Sequence, residues 1–597
     1  MVRRTFDLLE NYKTEYPDKA DVFACKQNGM WVTYNTRDYI EKSNLISYAL
    51  LTLGFKAGDK IVTVSNNRPE WNFVDMGMSQ IGVIHVPVYP TISTDDYTYI
   101  FHHAEPRMVI VSDKMLYEKL RPLTEKVASI ESIYSFNQIE GVKNWTTLIE
   151  LGKENAGKFI IMVEEIKSLI KPDDFFTLIY TSGTTGIPKG VMLSHNNIVS
   201  NFIETSKKHY LDSRHKALSF LPLCHIYERM LNYHFQYKGI SIYYAENMGT
   251  ILNNLKEIRP HIFITVPRLM ERIYDGIIGK GKDLPYLKKV IFFWAVNLGI
   301  QFKHNHANGW VYHFKLNIAD KLIFSKWREA LGGNVQYIVS GGATLQTRLS
   351  RLFFAAKINV LEGYGLTETS PVIAVNDPAK NEIRTGTVGP VLEGVAVKIA
   401  ADGEVLCKGP NIMLGYYKAP DLTAEVVDSD GWFHTGDVGV FEDGKYLKIT
   451  DRKKEMFKLS NGKYVSPQVI ESKFKESFFI DQLMVIGENE KFASALISPN
   501  FAFLHNWSFR HGINFRDNNE LINNQIVIDR FQREVNKINA TLGQAEVIKR
   551  FRLIAEEWSP LTGELSPTLK LKRKYICDKY RAIIDEIYAY KSGDVLN

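Results

Sequence analysis

Residues 181–190 read Thr181-Ser182-Gly183-Thr184-Thr185-Gly186-Ile187-Pro188-Lys189-Gly190. The apolar run Phe175-Phe176-Thr177-Leu178-Ile179-Tyr180 precedes them and Val191-Met192-Leu193 follows. This pattern predicts strand, loop, strand. Glycine lets a backbone bend closely around a ligand, so that successive N–H groups can face an anion. The hydroxyls and Lys189 add further donors, and a polyphosphate is the ligand that suits such a loop. A polar surface turn is the plainer alternative. The stretch is not a Walker loop, which ends in Gly-Lys-Ser/Thr; here the lysine follows proline and precedes glycine.

Outward from the loop, β-branched runs alternate with helical patterns. Lys60–Val64, Ile84–Tyr89, Met108–Val111, Val335–Val339 and Ile358–Leu361 read as strands, and Ser93-Thr94-Asp95-Asp96 reads as a helix start. Strands separated by helices predict a mostly parallel, doubly wound α/β sheet. Two of these strands run into small residues, Ser340-Gly341-Gly342-Ala343 and Glu362-Gly363-Tyr364-Gly365-Leu366-Thr367-Glu368-Thr369. Open α/β sheets bind ligands at such carboxyl ends. Tyr364 can stack on a purine, Thr367 offers a hydroxyl to a phosphate, and Glu368 is a hard oxygen ligand suited to Mg2+.

In Leu221-Pro222-Leu223-Cys224-His225-Ile226-Tyr227-Glu228-Arg229 a histidine stands beside an aromatic residue, ordinarily the mark of a packed core histidine. Residues 250–330 are rich in Lys, His, Phe, Tyr and Trp. Helices with buried aromatic faces are expected there, with a basic, aromatic, membrane-facing surface as the alternative. Short strands and turns over about 383–450 predict a β-rich subdomain closing a large domain of residues 1–450. Trp432-Phe433-His434-Thr435-Gly436-Asp437 lies in it, with Asp437 expected ahead of a strand and solvated. Asp451-Arg452-Lys453-Lys454-Glu455 reads as a charged linker, with a hinge at 451–454. Residues 455–597 predict a small mobile α+β domain. In it Ser466 caps a helix, Pro467 opens it, and Ile470, Phe474 and Phe478 form its buried stripe. The basic run Lys570-Leu571-Lys572-Arg573-Lys574 near the end is of a kind that is normally solvated.

The 597 residues suffice for two or more cores. A net charge of +6 over this length makes no case for nucleic acid, and suits anionic lipid or a polyanionic cofactor. The four cysteines form no C-x-x-C pair, which argues against zinc and a disulfide framework and for a reducing compartment. The N-terminus lacks a signal-peptide pattern, and no apolar run approaches the roughly 20 residues that a bilayer crossing takes. A cytoplasmic protein is expected, with peripheral contact at the cytoplasmic face as its only route to a membrane.

Together the loop at 181–190, the segment 221–229, Glu362–Thr369, Thr435–Asp437 and the hinge resemble the adenylate-forming enzymes: acyl-CoA synthetases, luciferases and adenylation domains. Pro567-Thr568-Leu569-Lys570-Leu571-Lys572-Arg573 and the long 250–330 segment resemble the long-chain fatty acyl-CoA synthetases among them. The resemblance implies ATP, Mg2+ and coenzyme A. It implies a phosphate loop made of Thr181, Ser182, Gly183, Thr184, Thr185, Gly186 and Lys189, with Thr181 and Glu368 at the metal. Gly341, Gly342, Glu362, Gly363, Tyr364 and Thr367 would surround the nucleotide, and Asp437 would take the ribose hydroxyls. Arg452 would contact the ribose and phosphate, Lys454 falls on the hinge position, Gly462 lies near coenzyme A, and His225 neighbours the acyl carboxylate. Lys570 is the terminal catalytic lysine. Lys572 is the other candidate, because Leu569 stands where many relatives have glycine. The implied reaction joins a fatty acid to ATP, giving acyl-AMP and pyrophosphate, then to coenzyme A. A fatty acyl-AMP ligase loading a carrier protein and a catalytically dead lipid-associated scaffold are the alternatives. Monomer and homodimer both stay open.

Overall fold

The computed structural model describes all residues except 183–187, 305–306, 454, 462, 545, 560–561, 567–569 and 590–597, together with the side chain of Ser182. The chain divides into two compact units. The first holds Met1–Lys398, Leu406–Thr435 and Phe441–Lys448, and the second holds Ile399–Val405, Gly436–Val440 and Ile449–Asn597.

Two large sheets build the first unit. One has seven strands in the order Gly415–Tyr416, Pro188–Ser194, Phe175–Ser182, Ile84–Val88, Lys60–Val64, Met108–Val111, Ser132–Ser135. Its Val-rich interior strands pair in parallel, as strands covered on both faces do. The other has eight strands in the order Val372–Val375, Asn359–Gly365, Tyr337–Ser340, Ile262–Thr265, Lys216–Ser219, Ser241–Tyr244, Phe23–Gln27, Met30–Tyr34. Its six central strands are parallel and both edges antiparallel.

The helices begin where short polar side chains satisfy their first N–H groups. Ser93 accepts from Asp96 N at 3.1 Å, and Ser194 and Asn197 form a reciprocal capping box. Helix Pro69–Ser79 is buried along its whole length. A four-stranded sheet of Ala396–Ile399, Glu404–Lys408, Phe433–Glu442 and Tyr446–Arg452 follows.

The second unit is α+β. Ile480–Ile486, Ser494–Pro499 and Arg550–Leu553 form a three-stranded sheet, whose core includes Ile470, Phe474, Leu483, Ile497 and Phe531.

Four local expectations need correction. The helix opened by Pro467 ends at Phe474, so Phe478 lies beyond it half-buried, while Phe479 takes the core position. Ser466 stands at the cap position, but its hydroxyl serves the Asp451 side chain instead of the helix. Asp437 lies inside the strand Phe433–Glu442 and is buried, not ahead of a strand and solvated. The aromatic faces of residues 250–330 are only partly buried. Phe292, Phe324 and Trp327 are internal, whereas Tyr286, Trp310 and Phe314 are 79, 81 and 62 % exposed.

Candidate active site

The strands flanking the glycine loop pair antiparallel, with Thr181 opposite Lys189 and Tyr180 opposite Gly190. Gly183, Thr184, Thr185, Gly186 and the side chain of Ser182 lie outside the described residues. The two-residue strand Gly415–Tyr416 pairs with the outer side of this hairpin, Tyr416 opposite Val191. The same segment is tied to the turn Thr367–Thr369: Met413 N donates to Glu368 O at 2.9 Å and Asn411 Nδ2 to Thr369 O at 3.1 Å. Lys189 Nζ sits 4.9 Å above the Tyr416 ring, and Tyr416 Oη donates to Glu368 Oε1 at 2.9 Å. One buried tyrosine thus connects the hairpin lysine to the carboxylate of the second motif. Burial first, and then Glu368, raise the Tyr416 phenol above its usual range, which keeps it a donor. Nothing in the local sequence of 411–417 signalled this role.

Around the second strand end, Gly341 and Gly342 have separate reasons to be glycine. A Cβ on Gly341 would stand 3.0 Å from Tyr227 Cζ, and Gly342 has φ +83°. Tyr364 and Gly363 lie half-buried on a strand that bulges between Tyr364 and Gly365, and Thr367 is buried. The Glu362 side chain turns inward. Ser350 Oγ donates to its Oε1 at 3.0 Å, and burial pushes its carboxyl up to about 7 against that bond and one from Gly386 N–H.

His225 caps the helix Ile226–Tyr237, and its Nδ1 accepts from Tyr227 N at 3.1 Å. That fixes the tautomer with the proton on Nε2, a donor suited to an anionic oxygen. Asn67 holds the loop in front of it, donating to Leu221 O at 2.6 Å and accepting from Leu223 N at 2.9 Å.

Arg229, one turn on, is fully buried. Its guanidinium meets Asp75 Oδ1 at 2.5 Å, Thr177 Oγ1 at 2.6 Å and Tyr233 Oη at 2.8 Å. Asp75 also accepts from Tyr233 and lies 2.6 Å from His85 Nδ1. Burial works to raise the Asp75 carboxyl, but Arg229, His85 and Tyr233 outweigh it and hold the group below the ordinary range. Burial lowers His85 to about 4 despite Asp75. Glu228 takes the opposite course: burial pushes it up to about 8, opposed only by Ser219 Oγ at 2.5 Å. Its Oε2 and the Tyr227 hydroxyl have no hydrogen-bond partner among the described residues.

In the second unit Arg452 Nε donates to Asp437 Oδ1 at 3.0 Å. Lys453 Nζ reaches Glu404 at 2.9 Å and Asp402 at 2.6 Å. The segment expected as a charged linker makes these ion pairs, and Asp451 is buried. Lys454 and Gly462 lie outside the described residues. Lys570 is exposed, with its backbone N–H on Ser566 Oγ at 3.1 Å. The Lys572 ammonium lies 5.6 Å from the Tyr575 ring centroid. Arg573 turns inward to Glu455 at 3.1 Å and Glu471 at 2.8 Å, so the terminal basic run is not wholly solvated.

Among the described residues, no cluster of three or more His, Cys, Asp or Glu could hold a metal alone. Glu368 nonetheless fits Mg2+, because that ion takes one or two carboxylates and completes its shell with phosphate and water oxygens. Also among the described residues, no helix is long and apolar enough to cross a membrane.

The comparisons with known proteins cover both units. Residues 9–417 match the AMP-binding enzyme family and residues 454–592 the AMP-binding enzyme C-terminal domain. Long chain acyl-CoA synthetase 6, peroxisomal, of Arabidopsis thaliana is 33% identical over 94% of this chain and 81% of its own. Long-chain-fatty-acid–CoA ligase 1 of Cavia porcellus is 32% identical over 94% and 82%. The A domain of carboxylic acid reductase from Segniliparus rugosus, solved with AMP and a carboxylic acid, superposes with a TM-score of 0.74 at 20% identity, over 98% of this chain and 94% of that one. The chain belongs to the AMP-binding enzyme family, among its long-chain acyl-CoA synthetases.

Proposed function

We propose that the protein is an ATP-dependent long-chain fatty acid–CoA ligase. A fatty carboxylate attacks the α-phosphorus of ATP, giving acyl-AMP and pyrophosphate. The coenzyme A thiol then attacks the acyl carbon, giving the thioester and AMP. The observation that carries this reading is similarity over 94% of the chain to proteins named as long-chain acyl-CoA synthetases. Those names also disfavour carrier-protein loading.

The first step brings two anions together, so its chemistry is positioning and charge stabilisation. Glu368 would hold the Mg2+ that accompanies the nucleotide, and the ion would neutralise phosphate charge. Lys189, Thr181 and the loop between them take the β- and γ-phosphates, with Glu368 towards the metal. Tyr364 stacks on adenine between Gly363 and the Gly341–Gly342 turn. Thr367 meets the α-phosphate, and His225 donates from Nε2 to the acyl carboxylate or a phosphate oxygen. In the second unit Asp437 takes the ribose hydroxyls beside Arg452, and Lys570 meets the carboxylate. The Lys572 ammonium, drawn to Tyr575, is the weaker candidate.

Residues 1–450 act as the main domain and 455–597 as a lid. The hinge at 451–454 alternates the lid between half-reactions, withdrawing Lys570 and presenting the Gly462 turn to coenzyme A. Peripheral membrane contact through 270–330 belongs to this reading.

Pyrophosphate release from oleate and ATP, followed by soluble thioester on adding coenzyme A, tests the activity. Lys570→Ala should abolish acyl-AMP formation and leave thioester formation from supplied acyl-AMP nearly intact. Equal loss of both halves overturns the role given to Lys570.

A further inference from the structure

Helices Tyr286–Ile300 and Trp310–Ala319 are both held firmly by their inner faces. Phe292, Ala295, Val296 and Gly299 are buried, and a Cβ on Gly299 would come within 2.5 Å of Leu352 Cδ1. Tyr312 Oη donates to Leu298 O at 2.7 Å, tying one helix to the other. Their outer faces are apolar and uncovered. Leu287, Val290 and Ile291 on the first and Trp310, Phe314 and Ile318 on the second are 40 to 81 % exposed. On the second helix Trp310, Phe314 and Ile318 stand four positions apart and form one continuous stripe.

The charge of this region is one-sided. Residues 267–330 hold eleven lysines and arginines against five acids, an excess of six, as large as that of the whole chain. From Tyr286 to Ile318 there are four lysines and no acidic residue. Lys288, Lys315 and Lys321 are exposed beside the apolar stripes.

A second copy of the chain would meet this face with the same face in a two-fold pairing, bringing like charges together. An anionic bilayer instead answers every feature. Its acyl boundary accepts apolar side chains without directional bonds, Trp and Tyr settle at headgroup level, and lysines reach anionic headgroups on long stems.

We propose that the outer faces of these two helices are the docking surface for an anionic lipid bilayer. This narrows the contact through 270–330 to one face and one lipid class, and rests on the ligase reading only for its purpose.

The test is co-sedimentation of the full chain with phosphatidylcholine vesicles, with and without phosphatidylglycerol. The wild type should bind the anionic vesicles. Each lysine contributes about fivefold to partitioning, so Lys288→Gln/Lys315→Gln/Lys321→Gln should weaken binding roughly a hundredfold on that same scale. Trp310→Ser/Phe314→Ser should weaken it about tenfold or more, through lost apolar burial. Pyrophosphate release with oleate in detergent micelles should stay at the wild-type level in both variants. If the wild type releases no pyrophosphate, the ligase reading fails while the vesicle result stands by itself. Absence of wild-type binding, or unchanged binding in both variants, overturns the proposal. So does dissociation of a dimer in Trp310→Ser/Phe314→Ser with vesicle binding intact, which would give the face to a second copy.

Discussion

Tyr416→Phe separates the two contacts that this side chain makes. The phenylalanine ring stays under Lys189, where the ammonium stands 4.9 Å from the centroid, and only the 2.9 Å bond to Glu368 Oε1 is lost. A hydrogen bond to a charged group contributes about 1.5–3 kcal/mol. Glu368 is half-buried and regains water when the phenol goes, so the stability loss should be about 1.5 kcal/mol, the low end for such bonds. The larger effect should be on the site. A partner that orients a metal-ligating carboxylate is typically worth about 10–100-fold in metal affinity or activity. ATP–pyrophosphate exchange with oleate, titrated with Mg2+, reads this directly. The half-saturating Mg2+ concentration should rise about tenfold or more, with the rate at saturation nearly unchanged. Tyr416→Leu should lower the saturating rate as well, because Lys189 then loses the aromatic face that holds it. An unchanged Mg2+ dependence in Tyr416→Phe would refute the orienting role. A fall in the saturating rate without a shift in Mg2+ dependence would remove Glu368 from the metal.

Asp75→Asn should destabilise the first unit by about 3–5 kcal/mol in urea unfolding, because Arg229 is left buried without its counter-charge. Glu228→Gln tests a pH dependence: the carboxyl titrates near 8 when folded, against 4.5 ordinarily, so the folded state holds the extra proton. The contribution of Glu228 is therefore complete below 4.5 and lost as pH rises through 8; the glutamine variant should match wild type in acid and exceed it near pH 9 by several kcal/mol, on the order given by linkage. Arg573→Ala should expose the second unit to limited proteolysis, since it strands Glu471 and Glu455, whereas Lys570→Ala should leave the digestion pattern unchanged.

The α/β class was legible because interior strands such as Lys60–Val64 and Met108–Val111 are continuous β-branched or apolar runs, and a parallel sheet covered on both faces needs such runs. The strand pair around the glycine loop was legible because apolar runs flank a glycine-rich stretch, Phe175–Ser182 pairing with Pro188–Ser194. Tyr416 was not. Its strand is two residues long and exists only because the edge of Pro188–Ser194, distant in sequence, offers it a partner. The burial of Asp437 was not legible, because a carboxylate in a strand reads like any surface aspartate until Arg452 is placed beside it. The outer face of Tyr286–Ile300 was misjudged for a related reason. That helix is apolar almost all round, so periodicity marks no solvent side, and exposure depends on what the fold leaves uncovered.

The motifs also carry two kinds of residue that spacing alone cannot separate. His225 opens a helix at the proposed acyl site, and four residues on Arg229 is locked into Asp75, Thr177 and Tyr233. Lys570 is exposed, and three residues on Arg573 is locked into Glu455 and Glu471. A buried ion pair adds little net stability, yet breaking one leaves an unpaired charge that costs several kcal/mol. Such a pair therefore resists small displacements of the segment that carries it. Catalysis by positioning needs that resistance, since a misplacement of about 1 Å can cost a hundredfold in rate. The inward arginines hold the outward residues in place, and the two kinds part under mutation: loss of Arg229 or Arg573 should appear first as instability, loss of His225 or Lys570 first as lost chemistry in a folded protein.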